Sequence, residues 1–411
     1  MTPQIKHELK IGDTQIGILT GVAFAIFYTL LALPIARVAE RRHRPAIIAA
    51  SIIAWSVMTM LCGLAQNFVQ LALARVGVGI GEAGSTPASQ SLLADYFPPE
   101  RRATAASIFS MGMPVGVFCG AVMGGWLGQT MGWRLSIIIA GLPGVLLTIL
   151  VALTLRETRS GIRATSAVAQ APTFFAVLRR LAGRRPLVHL YLGASMLSLT
   201  AYSLISFMVL FLTRNHGLSL VHASMGFGII HGVSAVAGMF AGGVLADRAS
   251  RISPRFYAWI PAFAAFLSIP LLLSGLNAVS LGWTATCFAG LAFLQYAYIG
   301  PTLGVILNDF EPRMRATAVA IFYFALNLIG LGIGPTLTGW LSDRFAASHL
   351  PADASYQKLC VVTQSLDSLC STAAMDGLRS ALMCLTIFYG AAAGHFLLAG
   401  RAMPRGQSVH D

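Results

Sequence analysis

Arg75 and Glu82 stand inside one long apolar run, 68–94. A charge at mid-bilayer costs about 2.5–3.5 kcal/mol, so charged residues there face a protein interior or a water-filled cavity. Seven positions make about two helical turns, which puts both on one helix face roughly 10 Å apart. They are too distant to bond directly, so a substrate, water or another helix has to join them. Glu82 can then take up and release a proton while Arg75 attracts an anionic group or biases the charge of the carboxylate. The structural alternative is an ion pair from each to another span. Gly77, Gly79, Gly81 and Gly84 beside them permit close helix packing or ligand approach.

A second set of charges sits between apolar runs. Glu40, Arg41 and Arg44 form one group, and Asp247, Arg248 and Arg251 the other, near Arg101–Arg102 and Arg313–Arg315 by topology. Opposite charges at helix ends can pair in one conformation and separate in another. The plainer reading is that the arginines only fix orientation. A third set is polar or aromatic at mid-span depth: Gln295, Tyr296, Tyr298, Asn327, Tyr202, Phe207 and His231. Together they could line a cavity as substrate contacts, although each alone reads as packing. His231 and His395 could relay protons, but a hydrogen bond to a neighbouring helix is the preferred reading.

These residues need a scaffold of membrane helices. The 411 residues are 56% hydrophobic and only 10% charged. Soluble domains carry about 25% charged residues. Eleven long apolar runs are legible, at 15–36, 46–66, 68–94, 103–128, 134–155, 187–213, 223–246, 256–276, 280–307, 316–341 and 378–400. Each approaches the roughly 20 residues a crossing helix needs. The fold class is therefore all-α, a polytopic membrane protein with about 11 transmembrane helices. Of 28 Lys and Arg, 20 fall in the loops of one side and 7 on the other. The rich side is expected to be cytoplasmic, with the net charge of +13 drawn to anionic lipid rather than to nucleic acid. The loop 342–377 is then external. Cys360 and Cys370 share it and can form a disulfide if that side is oxidising. The other four cysteines lie in apolar runs and have no metal spacing.

The chain also repeats itself. Phe97-Pro-Pro-Glu-Arg-Arg-Ala-Thr-Ala-Ala-Ser-Ile-Phe109 returns as Phe310-Glu-Pro-Arg-Met-Arg-Ala-Thr-Ala-Val-Ala-Ile-Phe322, an offset of 213. Val38–Arg41 corresponds to Leu245–Arg248 at offset 207, and Gly125-Trp126-Leu127 to Gly339-Trp340-Leu341 at offset 214. Parallel duplicated halves in so apolar a chain suggest a transporter with its substrate site between them. The halves read as an N-terminal helical bundle over 1–155, a cytoplasmic linker over 156–186 and a C-terminal six-helix bundle over 187–411. Offset 213 places Gln295 opposite Glu82, which suits a single titrating site. In the linker, Phe174, Val177, Leu178 and Leu181 share one helical face. They predict a short helix on the membrane surface, or an ordinary linker helix.

The loop Gly243-Val-Leu-Ala-Asp-Arg248, with Arg251, resembles the signature loop of the major facilitator superfamily. Ala36-Arg-Val-Ala-Glu-Arg41, with Arg44, is a degenerate first copy. The stretch Arg75-Val-Gly-Val-Gly-Ile-Gly-Glu-Ala-Gly-Ser-Thr-Pro-Ala-Ser-Gln-Ser-Leu-Leu-Ala-Asp-Tyr-Phe-Pro98 resembles the spinster-like branch. So do Asp13-Thr-Gln-Ile-Gly-Ile-Leu-Thr-Gly21 and Gly132-Trp-Arg134. The resemblance covers nearly the whole chain. It implies a two-bundle fold of twelve helices, in which a segment like Asp13–Tyr28 begins the second. Only Met1–Gly12 precedes it here, so the first helix is expected to be missing. The resemblance further implies that the Glu40 and Asp247 loops gate the cytoplasmic side. In eukaryotic members it implies lysophospholipid or sphingolipid-type substrates.

The expected function is secondary active transport by alternating access, proton-coupled, of an amphipathic, lysolipid-like or other hydrophobic anion whose head group Arg75 meets. The alternative is a small organic anion or sugar-acid carrier, which a predominantly polar cavity would favour. A membrane enzyme or receptor is the reading from another class, but the sequence has no GxSxG, HExxH or P-loop. No cofactor and no metal are implied. The expected partners are a small-molecule or lipid substrate, protons and membrane lipids, with a monomer in a bacterial inner membrane. The stripe Gly112, Gly116, Gly120, Gly124 and Gly125, echoed by Gly330, Gly332 and Gly334, predicts tight helix packing, with an antiporter-type motif as the lesser reading.

Overall fold

The computed structural model describes residues 5, 8–9, 23–158, 173–350 and 368–404, and these are helical with no strand among them. The helices in chain order are α1 Ala23–Arg41, α2 Arg44–Leu64, α3 Phe68–Ala83, α4 Ser85–Tyr96, α5 Arg102–Ser110, α6 Gly112–Thr130, α7 Gly132–Thr154 and α8 Phe174–Gly183. Then come α9 Arg185–His216, α10 Leu220–Ser250, α11 Phe256–Leu276, α12 Leu281–Tyr296, α13 Ile299–Asp309, α14 Arg315–Leu326, α15 Gly334–Ser348, α16 Ser368–Met383 and α17 Leu385–Ala402. A π-helical segment, Asn327–Ile333, joins α14 to α15.

Nine stretches among the described residues are helices long and apolar enough to cross a membrane. They match nine of the eleven predicted runs. The run 15–36 is helical from Ala23, with its earlier part outside the described residues. The run 68–94 is helical but divided at Gly84 into α3 and α4. The last run extends beyond its predicted start, since α16 begins at Ser368 in polar sequence. Helix formation satisfies the backbone internally whatever the side chains, so the apolar run is shorter than the helix. α7 has the surface a lipid-facing helix needs, with Leu142, Leu146, Ile149, Leu150 and Leu153 all exposed.

Local chemistry sets the ends. Asn67, Ser219 and Ser280 accept hydrogen bonds from the backbone of Gln70, His222 and Trp283, capping α3, α10 and α12. Gly217, at φ +64°, takes the left-handed turn that closes α9. Gly132, at φ +76°, opens α7. That turn seats the next two residues. Trp133 is buried, and Arg134 stacks on its ring and donates to the carbonyls of Gly63 and Ala65 at the end of α2.

By internal contacts the chain divides into two units. The first comprises residues 1–102, 115–183 and 303–324; the second comprises 103–114, 184–302 and 325–411. Each unit thus takes one short segment from the opposite half of the sequence: 303–324 carries the whole second copy of the repeated motif, and 103–114 carries residues 103–109 of the first.

The first-half glycine stripe differs from its expectation. A Cβ added at Gly112, Gly116 or Gly120 would meet nothing within 4 Å, so no helix packs there among the described residues. Its second-half echo does pack. Gly330 lies against Ser198 and Tyr202, and Gly334 against the Leu199 carbonyl.

Candidate functional site

In the first unit, Glu82 sits in the last turn of α3, two residues before the break at Gly84. Arg75 lies two turns earlier, and both are partly buried. Neither makes an ion pair among the described residues. The glycines beside them are used for packing. A Cβ on Gly77 would strike the Met58 sulfur at 2.5 Å, one on Gly81 the Trp55 backbone at 2.6 Å, and one on Gly84 Ile35 at 2.5 Å. The small residues draw α3 onto α2 and α1, while the two charged side chains meet no opposite charge among the described residues.

The same unit holds the first loop group. The Glu40 carboxylate, 6% exposed, accepts the backbone N–H of Thr317 at 2.8 Å, near the start of α14. Free N–H groups at a helix N-terminus and its positive dipole end favour an acid there. Arg37 also contacts Glu40, at 3.4 Å. Arg44, fully buried, bridges two acids: Asp95 at 2.7 Å and Glu157. Asp95 in turn pairs with Arg315 at 2.7 Å. The arrangement is a relay of alternating charge, Glu157–Arg44–Asp95–Arg315, a geometry in which buried charges hold one another. Arg102 instead donates to the neutral side chain of Asn308 at 2.7 Å. The side chain of Arg41 lies outside the described residues.

The second unit holds the other loop group in the same arrangement. Asp247, 5% exposed, accepts the backbone N–H groups of Thr104 at 2.7 Å and Ala103 at 3.3 Å, and the Tyr257 hydroxyl at 2.9 Å. The repeat offsets pair Glu40 with Asp247 and Thr317 with Thr104. Each loop acid therefore caps a helix that belongs to the other sequence repeat. Arg248 and Arg251 are exposed and make no ion pair among the described residues.

The polar-aromatic set gathers partly. His231 on α10 lies 3.3 Å from the Tyr296 hydroxyl on α12 and stacks near Phe227 at 4.9 Å between centroids. The Tyr202 hydroxyl on α9 donates to Asn327 at 3.2 Å, at the first residue of the π-helical segment. Such segments recur at functional sites because the widened turn re-aims side chains. Gln295 donates to Thr200 at 3.1 Å, while its own carbonyl oxygen is buried with no partner among the described residues. Two residues fall elsewhere. Tyr298 packs on Phe396, and Phe207 lies against Gly339. His395 faces His189, Nδ1 to Nδ1 at 3.0 Å.

Sequence reasoning passed over Asp95, Glu157 and Asn308, and gave Thr104 and Thr317 no role. The signal was present, since Asp95 and Asn308 stand at the repeat offset and the two threonines lie inside the repeated motif. No amphipathic pattern marks a residue whose backbone N–H, rather than its side chain, does the binding.

The profile of the Major Facilitator Superfamily matches residues 1–335. The chain belongs to this superfamily. It is 36% identical over 350 residues to an MFS-type efflux pump of Mycolicibacterium smegmatis, with 82% of this chain and 78% of that protein covered. Protein spinster homolog 1 of Mus musculus is 27% identical over 375 residues, covering 85% and 70%. A probable L-galactonate transporter of Escherichia coli is 26% identical over 357 residues, covering 82% and 77%. Among solved structures, a bacterial homolog of the human lysosomal transporter Spinster, inward-facing and unoccupied, superposes with a TM-score of 0.67. It is 32% identical and covers 98% of this chain and 92% of that one. The chain is thus an integral membrane transporter of the spinster-like kind and not an enzyme.

Proposed function

We propose that the protein is a proton-coupled secondary transporter working by alternating access, with Glu82 as the proton carrier and Arg75 as the anchor for an anionic head group. The observation that carries this reading is the pair of crossed caps, Glu40 on Thr317 and Asp247 on Ala103 and Thr104. A transporter has to close one side reversibly. Two acids capping helices of the opposite repeat form a latch that releases without breaking either repeat. The Glu157–Arg44–Asp95–Arg315 relay adds to it. The exposed position of most other loop arginines suits a role in orientation, with the rich side at the cytoplasm of a bacterial inner membrane.

For the substrate we favour an amphipathic anion. The support is Arg75, which has no acidic partner among the described residues, in an apolar span, and the likeness to spinster proteins and to an efflux pump. That last likeness suggests export. The sugar-acid reading has support too. The likeness to the probable L-galactonate transporter joins a cluster of neutral hydrogen-bonding groups, Tyr202, Asn327, Gln295 and His231, that suits hydroxyls. The decisive test is transport into liposomes by purified protein under an imposed pH gradient, with a lysophospholipid and an aldonic acid offered in turn. Gradient-driven movement of the lysophospholipid, abolished by Glu82→Gln while membrane insertion is retained, is expected. Undiminished proton-coupled transport in Glu82→Gln removes Glu82 from the mechanism. Movement of the aldonic acid alone would replace the substrate class.

A further inference from the structure

The linker helix α8 uses its apolar residues in two directions. Val177 and Leu181, 0% and 8% exposed, are covered by protein, so half of the predicted apolar face is not available to a membrane. Phe175 and Leu178 point the other way, 76% and 38% exposed. At 100° per residue, Phe175, Leu178 and Ala182 form one outward stripe, and the exposed Arg179 borders it. The covered side is clamped by Arg180. Its guanidinium donates to the Glu311 carboxylate and to the Asp309 carbonyl, both at 3.0 Å, and lies over the Phe310 ring. The loop it grips runs directly into α14, whose Arg315 pairs with Asp95 and whose Thr317 N–H binds Glu40.

We propose that α8 docks its outward face on the anionic lipid of the cytoplasmic leaflet, and that Arg180 transmits this seating to the 310–317 segment. Three observations converge on lipid as the occupant. Only Arg184 separates the end of α8 from α9, a membrane-crossing helix, so connectivity keeps α8 near the membrane surface. Large exposed apolar residues bordered by arginine fit the boundary between acyl chains and head groups. Arg179 lies on that face, and Arg184 and Arg185 follow in sequence, which complements the negative charge of the inner leaflet. The second half of the proposal rests on the latch reading above; the lipid contact does not.

Hydrogen–deuterium exchange of the full chain in nanodiscs tests both halves. Discs of phosphatidylcholine are compared with discs in which phosphatidylglycerol replaces part of it. Exchange at 174–183 should slow in the anionic discs, and exchange at 310–317 should slow with it. Phe175→Ser with Leu178→Ser should remove the effect, and Arg179→Gln should weaken it by roughly fivefold, as expected for one surface arginine. Equal exchange at 174–183 in the two disc types would overturn the docking. So would protection that requires added cytosolic protein. Protection at 174–183 with none at 310–317 would overturn the transmission. A failed latch shows separately, as unchanged side-to-side accessibility in Asp247→Asn, and leaves the exchange at 174–183 as it was.

Discussion

Asp95 and Asn308 occupy equivalent places in the two repeats, yet only Asp95 is charged, and it is held between Arg44 and Arg315. Those arginines are 0% and 7% exposed, so losing the carboxylate leaves cations poorly matched in a dry site. Hydrogen bonds to charged groups contribute about 1.5–3 kcal/mol, and neutral ones about 1. Asp95→Asn should therefore destabilise the protein by about 2 kcal/mol or more. Asn308→Ala removes an acceptor from Arg102 and a donor to the Pro99 carbonyl, but Arg102 keeps the carbonyls of Ala94 and Phe97, so it should cost less. Thermal unfolding of the two variants in detergent checks the order, and equal midpoints would mean that the relay does not hold the first unit together. A gentler case lies at Glu8. The Arg134 and Trp133 hydrogen bonds hold its carboxyl below the usual carboxylate range. A depressed carboxyl contributes above its ordinary range, and the contribution is lost as pH falls through the lowered value. The tie to Trp133 should thus persist through mildly acidic solution and release only below the ordinary carboxylate range. Trp133 fluorescence followed from neutral to acidic pH reads this, and a change centred above that range would refute it.

Helices pack by different rules at different glycines. On α10, a Cβ at Gly238 or Gly242 would lie on the backbone of Phe293 of α12 or of Ala297 just after it, whereas one at Gly226 or Gly228 meets nothing within 4 Å. Overpacking typically costs about 1–3 kcal/mol, while Gly to Ala in an unobstructed helix gains about 1 kcal/mol. Gly238→Ala should lower stability and Gly226→Ala should leave it equal or higher, again by thermal unfolding; the opposite order would place the α10–α12 contact elsewhere. The sequence could not separate these glycines, because small residues at helical spacing look alike whether they touch a helix or face open space. Gly112, Gly116 and Gly120 show the difficulty, since they form the cleaner stripe and pack on nothing among the described residues. Apolar run length, by contrast, located nine helices, because a bilayer imposes length and composition together. What it could not locate were the internal breaks at Gly84 and at the π-helical segment, which depend on packing against α1 and α9. The Glu40 and Asp247 loops were legible as a pair through the repeat. Their partners were not, since a backbone N–H carries no residue type.

For the whole molecule, the question is whether Glu40 and Asp247 act on one equilibrium or on two. Each acid has its own partner and its own unit, so nothing local couples them. If both stabilise the same closed state, each loss should shift the closed–open balance by its own factor, and the factors should multiply. Replacing a carboxylate that binds helix N–H groups by its amide removes about 1.5 kcal/mol of charge-assisted bonding, or roughly tenfold in population. Glu40→Gln and Asp247→Asn should each raise cytoplasmic accessibility about tenfold, and the double variant about a hundredfold, provided the closed state predominates at the start. Thiol labelling of a single reporter cysteine in membrane vesicles, with the rate measured from either face, gives the three ratios. A double variant no more accessible than the weaker single would mean that one cap alone limits opening. Equal labelling in all four proteins would remove both acids from gating and leave the loop arginines as orientation signals only. The multiplicative result is the one the proposed latch requires of a duplicated chain, in which the repeat supplies two caps of the same chemistry.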